Sequence, residues 1–270
     1  MPASTPACRN NVHVRGSTLA TRAIVFVHGF GTDQQAWREV AATFEREWRV
    51  VLLDNVGSGG TPPEAFTQHQ YLGLERYATD LREVCTELGL RQVVLVGHSM
   101  GAMICMLAAS QDPDVASHLV LVGGSPRYLD EAGYHGGFTR KDLDEIYRAM
   151  DTGYHDWADA NAPVIMGNPE RPQLAMAFAQ TLKAIPADRA LTMLCSILQS
   201  DHRSRLAEVR CPTLIVQSRN DPFVPRDVAE HMQRAIAGSR LLVIEADGHL
   251  PHVSAPAQVA AAIHGFLGPV

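Results

Sequence analysis

The chain has 270 residues, 46% hydrophobic and 19% charged, which suits one large soluble domain or two small ones with a sizeable core. Its formal net charge of -6 argues against nucleic acid and anionic membrane as partners, because both need a basic patch. It shows no block of like charge, no internal repeat and no apolar run long enough to span a membrane. Met1 to Asn10, rich in Pro, Ser, Thr and Ala, reads as a loose tail, and Arg9 and Arg15 interrupt any signal-like apolar stretch. Cys8, Cys85, Cys105, Cys195 and Cys211 are odd in number and widely spread. They predict reduced thiols in a cytoplasmic protein, with neither a disulfide framework nor a zinc site.

Asn11 to Arg15 alternates like an edge strand, and Arg22 to His28 (RAIVFVH) is a β-branched run suited to a strand buried on both faces. That run ends in His28-Gly29-Phe30-Gly31, a turn where open α/β sheets place ligands. Asp33 is placed to cap a helix over Gln34 to Trp48. A third strand, Arg49 to Asp54, leads into the glycine-rich loop from Asn55 to Gly60. This loop lacks the spacing of a phosphate-binding motif and is expected near the mouth of the site. Leu72 to Leu88 is amphipathic, with Tyr77, Leu81, Val84 and Leu88 on one stripe and Gly89 at its end.

Arg91 to Met106 (RQVVLVGHSMGAMICM) gives a strand, a sharp turn and a helix, with Gly97-His98-Ser99-Met100-Gly101 at the turn. That is the G-x-S-x-G nucleophile elbow in its proper context, with Ser99 as candidate nucleophile. The alternative for Ser99 is a cap for the helix that begins just after it. The Met100 and Phe30 backbone amides are the expected oxyanion donors. After a strand at His118 to Gly124, strand patterns stop until about residue 200. Helices are expected over Lys141 to Met150, Tyr154 to Ala160, Gln173 to Ala184 and Ala187 to Gln199. They form a lid over 125–200, inserted in a core of 1–124 and 201–270. Phe138, Trp157, Phe178 and Ile197 are either pocket lining or ordinary lid core.

Pro212 to Ser218 restores the sheet and is followed at once by Asn220-Asp221-Pro222. A helix at Arg226 to Ile236, a last strand at Leu241 to Glu245 and a helix from Pro256 to Phe266 complete the chain. The last strand runs into Ala246-Asp247-Gly248-His249. The expected fold is α/β, a mostly parallel doubly wound sheet. Acyl transfer by serine needs a base and an acid to orient it, and Ser99, Asp221 and His249 supply all three in the chain order that the elbow requires. Asp247 competes for the acid role, but the loop after the preceding strand is the usual source. His252 lies three residues beyond His249 without the further ligands of a metal site. His28, His98 and Leu250 are expected to shape the pocket.

With these residues in place, the chain resembles the α/β-hydrolase group that contains the bacterial stress regulator RsbQ and the plant karrikin and strigolactone receptors. The resemblance lies in His28-Gly29-Phe30-Gly31-Thr32-Asp33-Gln34, Asp54 to Gly59, Gly97 to Ala102 and Tyr128-Leu129. It continues through Gly136-Gly137-Phe138, Ser200-Asp201-His202-Arg203 and Glu245 to His252. It implies a Ser99–His249–Asp221 triad, a four-helix lid over a small apolar pocket, no cofactor, and slow hydrolysis of a small ester or butenolide-like lactone. It also implies a second use as a sensor, since members of the group work with a sensor-domain signalling protein or recruit partners through the lid. Gly60-Thr61-Pro62-Pro63-Glu64 differs from the family's loop, so substrate preference does not carry over. The same triad also serves cofactor-free haloperoxidases and carbon–carbon bond hydrolases.

Overall fold

Alternation along the central strands builds two apolar layers. A computed structural model describes residues 5–17 and 20–268. Its strands are β1 (His13–Gly16), β2 (Ala23–Val27), β3 (Arg49–Leu53), β4 (Val93–His98), β5 (Ala116–Val122), β6 (Thr213–Asn220) and β7 (Arg240–Asp247). They form one sheet in the order β1-β3-β2-β4-β5-β6-β7. Only β1 runs antiparallel to its neighbour. Every residue of β2 and β4 is buried, as expected for parallel strands covered on both faces.

The helices are α1 (Pro6–Arg9), α2 (Arg38–Ala42), α3 (Leu74–Glu87), α4 (Met100–Gln111), α5 (Arg140–Met166), α6 (Pro172–Ala184), α7 (Ala187–Leu198), α8 (Arg226–Ala235), α9 (Pro251–Ser254) and α10 (Pro256–Leu267). On one face of the sheet, Val25, Val27, Leu95, Leu119 and Ile215 pack with α3, α4 and α8. On the other face, Ile24, Phe26, Val94, Val96 and Val216 pack with Trp37, Phe44, Trp48 and α10. Helix α4 is buried from Met100 to Ala109, so its apolar residues need no amphipathic stripe. Helices α5 to α7 stand between β5 and β6. Among the described residues, no helix is long and apolar enough to cross a membrane.

Three local expectations are corrected. Residues 5–10 of the expected tail are ordered: Thr5 caps α1, Arg9 pairs with Asp80 at 2.8 Å and with Glu83, and Asn10 is buried. Residues 1–4 lie outside the described residues. The helix expected over Gln34 to Trp48 is a 3-10 turn (Gln34–Trp37) followed by the short α2. Bonds from the amides of Thr43, Phe44 and Glu47 to carbonyls three residues back tighten the remainder, and Phe44 and Trp48 turn into the core. Finally, the second of the two helices expected around Gly153 runs on past Ala160 to Met166, so that α5 is two helical segments meeting at a kink where Gly153 leaves helical geometry (φ -169, ψ 80). Gly153 therefore separates the two segments, as a residue without a side chain readily does.

Candidate active site

Two glycines let β4 turn sharply into α4. A Cβ on Gly97 would fall on the Gly101 carbonyl, and one on Gly101 would fall on the Val27 and His28 carbonyls, so neither position admits a side chain. Between them Ser99 sits at φ 53, ψ -117, a conformation that L-residues adopt only at a cost. Ser99 occupies the cap position of α4, yet its side chain makes no cap hydrogen bond. The hydroxyl turns away and lies 2.9 Å from Nε2 of His249.

His249 follows β7, and its Nδ1 lies 2.9 Å from Oδ2 and 3.1 Å from Oδ1 of Asp221. Asp221 follows β6. Its Oδ1 accepts from the amides of Phe223 (2.8 Å) and Val224 (3.0 Å), and its Oδ2 accepts from the Gln217 side chain at 3.3 Å. These donors stabilise the carboxylate and fix its plane. Asp247, the competing acid, accepts from Asn220 at 2.7 Å and stands partly exposed on the outside of the loop. Ser99, Asp221 and His249 therefore form one hydrogen-bonded line that can pass a proton from hydroxyl to imidazole.

The Gly29–Phe30 backbone passes directly against the nucleophile, since a Cβ on Gly29 would come within 3.1 Å of the Ser99 Cβ. Met100 begins α4, so its N–H has no intrahelical acceptor. Phe178 and Leu182 of α6 lie over Gly31. Phe138 is half-buried against Phe223, with ring centroids 5.0 Å apart, and Phe223 lies 5.2 Å from the His249 ring. Trp157, Phe178, Ile197 and Leu250 belong to one buried cluster that continues onto the sheet, and Trp157 stacks on Tyr154. Ser99 and His249 are only 6% and 5% exposed, so the reacting atoms are roofed by side chains.

Two residues expected in the pocket act behind it. The fully buried His28 accepts from the Asn55 amide through Nε2 at 2.9 Å, so Nδ1 carries the proton donated to the Gly29 carbonyl at 2.8 Å. It braces the end of β2 against the 55–60 loop, and its ring nitrogens are spent on backbone. His98 likewise points away, toward the carbonyl of His249.

The sequence reading gave Tyr128 and Phe223 no site role. Tyr128 is buried with its hydroxyl near Ser99 and otherwise without a hydrogen-bond partner. Burial first, and then the Asp221 charge, push its pKa up, so it stays a neutral donor. Phe223 lies two residues past the acid, and that proximity to Asp221 was its available signal. Nothing local marks Tyr128, which reaches the site because the chain folds back after β5.

Behind the site, His252 is fully buried, with its ring 4.3 Å from Trp37 and 4.2 Å from His98, and neither ring nitrogen has a hydrogen-bond partner. Burial, and then the nearby His249 and His28, lower its pKa to about 3. An unfolded histidine protonates near its ordinary value of about 6.5, so between those values the unfolded chain binds the extra proton. Stability should therefore be intact above about pH 6.5 and fall on acidification by up to about 1.4 kcal/mol per pH unit for such a group. Urea midpoints measured from pH 7 to 4.5 should show this slope, and His252→Leu should reduce it, leaving the share that the buried His98 contributes in the same direction. An unchanged slope in that variant would place the acid sensitivity elsewhere.

A family model described as alpha/beta hydrolase fold matches residues 22–256. A karrikin insensitive 2 receptor of Petunia hybrida is 38% identical, covering 92% of this chain and 91% of its own. The strigolactone esterase D14 of Arabidopsis thaliana is 37% identical over 93% of each chain. Among solved structures, a hydrolase from Oleispira antarctica superposes with a TM-score of 0.93 at 31% identity, covering 98% of this chain and 97% of its own.

Proposed function

This chain belongs to the alpha/beta hydrolase fold family, and on that premise we propose that it cleaves a small carboxylic ester or lactone through an acyl-enzyme at Ser99. The observation that carries this reading is the imidazole of His249, held 2.9 Å from both Ser99 Oγ and Asp221 Oδ2. Ser99 Oγ attacks the carbonyl carbon while His249 Nε2 takes the hydroxyl proton, and Asp221 keeps the opposite N–H in place and stabilises the imidazolium. The amides of Phe30 and Met100 receive the oxyanion. His249 then returns the proton to the departing alkoxide, which for a lactone stays attached to the acyl group. Water, deprotonated by the same imidazole, attacks the acyl carbon and releases the acid. No cofactor enters this sequence.

Residues 125–200 are assigned as a lid, with Phe138, Trp157, Phe178, Ile197 and Leu250 lining its underside together with Tyr128 and Phe223. An apolar, aromatic lining suits a small, weakly polar ring better than a charged or extended substrate. The five cysteines are all unpaired, which supports a reducing, cytoplasmic setting. A second reading, a sensor with slow or single-turnover hydrolysis that engages a signalling protein through the lid, is favoured by the roofed nucleophile. The receptor name of the Petunia relative supports it as well.

Time courses with p-nitrophenyl acetate and with a simple butenolide, read alongside intact mass, test both readings. The expected result is an acyl adduct mapping to the Ser99 peptide. Sustained turnover selects the esterase, whereas a burst followed by a persistent adduct selects the sensor. Turnover with an adduct on another residue, or turnover undiminished in Ser99→Ala, overturns the assignment.

A further inference from the structure

The elbow carries a second imidazole that the acyl-transfer steps never use. His98 closes β4 immediately before Ser99, and its Nε2 lies 2.7 Å from the carbonyl oxygen of His249. A carbonyl only accepts, so Nε2 carries the proton and donates it there. The other nitrogen, Nδ1, is shut away from solvent without a hydrogen-bond partner and faces Gly29, where a Cβ would sit 2.6 Å from it. The ring is 1% exposed, with His252 at 4.2 Å and His249 at 5.0 Å between centroids. A proton on Nδ1 would have no acceptor in this space. Burial, and then His252 and His249, accordingly hold the pKa of His98 well below the ordinary value. The surroundings thus fix both the charge and the tautomer, and the surviving form is the one that donates to His249.

We propose that His98 is a positioning residue for the hydrolysis: its Nε2–H anchors the His249 backbone so that the imidazole of His249 stays aligned on Ser99 Oγ. This rests on the Ser99–His249–Asp221 reading above. The loop that carries His249 is short and contains Gly248 at φ 88, so it supplies little stiffness of its own. Three bonds from three elements hold it. The Gly248 amide donates to Asn220 at the end of β6 (2.8 Å), the His249 amide donates to Ile165 in the last turn of α5 (2.8 Å), and His98 takes the His249 carbonyl. Only the third comes from the same turn as the nucleophile. Because His98 and Ser99 are consecutive, a single peptide unit sets the spacing between the attacking oxygen and the anchor of its base. A displacement of about 1 Å in such a pair is enough to cost roughly 10²-fold in rate.

The side-chain amide of glutamine reaches about as far as imidazole Nε2 and also donates an N–H. Leucine fills similar space without donating, and the amide of asparagine falls short of the carbonyl. We would measure kcat and KM for p-nitrophenyl acetate, with thermal midpoints, for His98→Leu, His98→Asn, His98→Gln and Ser99→Ala. His98→Leu and His98→Asn should lower kcat by roughly 10- to 100-fold with KM changed less than about threefold, because the substrate is not touched. His98→Gln should restore kcat to within about fivefold of wild type. If His98→Leu fails to fold, the comparison of asparagine with glutamine carries the same test. Equal kcat in the asparagine and glutamine variants, or losses that merely follow the thermal midpoint, would overturn the anchoring role. Wild-type activity in Ser99→Ala would instead bring down the triad reading beneath it.

Discussion

Ester turnover by Ser99→Ala is expected to fall by at least about 10⁴-fold, and turnover by Asp221→Asn by on the order of 10⁴-fold. Both variants should fold. The argument for Asp221 runs through the tautomer of His249. As a carboxylate, Asp221 accepts from His249 Nδ1 at 2.9 Å, which leaves Nε2 bare to take the Ser99 proton at 2.9 Å. An asparagine there keeps Oδ1 for the amides of Phe223 and Val224, so the turn after β6 survives. Its NH₂ group then meets Nδ1 and forces the proton onto Nε2, where it points at the hydroxyl that the base should deprotonate. Because the three residues act as one unit, the double variant Ser99→Ala/Asp221→Asn should be no slower than Ser99→Ala alone. Initial rates with p-nitrophenyl acetate, corrected for the uncatalysed background, settle the comparison. An Asp221→Asn enzyme retaining a tenth or more of wild-type kcat would move the acid role elsewhere, with Asp247 the first residue to test.

What was legible in the sequence divides along a physical line. β2 and β4 were readable because burial on both faces demands an unbroken apolar run rich in β-branched residues, and Ala23–Val27 and Val93–Val96 supply it. Ser99, Asp221 and His249 were readable because each stands just beyond a strand end in the order that the elbow requires. Features made by distant partners were not legible. The order at Pro6–Arg9 depends on Asp80 and Glu83, and the tight turns at Phe44 to Trp48 answer to the sheet face beneath them. His28 and His98 offered the right residue type beside the right motifs, which suggested a pocket role. Only the folded chain reveals that the Asn55 amide, the Gly29 carbonyl and the His249 carbonyl claim their ring nitrogens. Tyr128 shows the converse. Nothing in its neighbourhood along the chain says that its hydroxyl will lie near Ser99.

The same glycine-to-alanine change should have three different outcomes at three positions, and the largest falls where helix propensity predicts a gain. Within α4, alanine in place of Gly101 should help by roughly 1 kcal/mol on propensity alone. Its Cβ, however, would be driven into the Val27 and His28 carbonyls at the end of β2. β2 is paired with β3 on one side and β4 on the other, so that backbone has no room to give. Gly101→Ala should therefore cost more than about 4 kcal/mol or prevent folding outright, a loss in the exceptional range for one substitution. Gly89 supplies the contrast: it holds φ +66 with nothing within 4 Å of a new Cβ, so alanine there pays only the left-handed backbone, about 1–2 kcal/mol. Gly248 combines both penalties, φ +88 and a Cβ that would strike the Met166 carbonyl at the end of α5. Since the next residue is His249, bonded through its amide to Ile165, relief of that clash must shift either the helix end or the base. Gly248→Ala should thus lose kcat out of proportion to its urea midpoint, whereas Gly89→Ala should lose stability and keep its rate. Equal midpoints for Gly89→Ala and Gly101→Ala would mean that the strand–helix crossing at the elbow tolerates a methyl group, and the close approach that lifts Ser99 out of the sheet would need another cause.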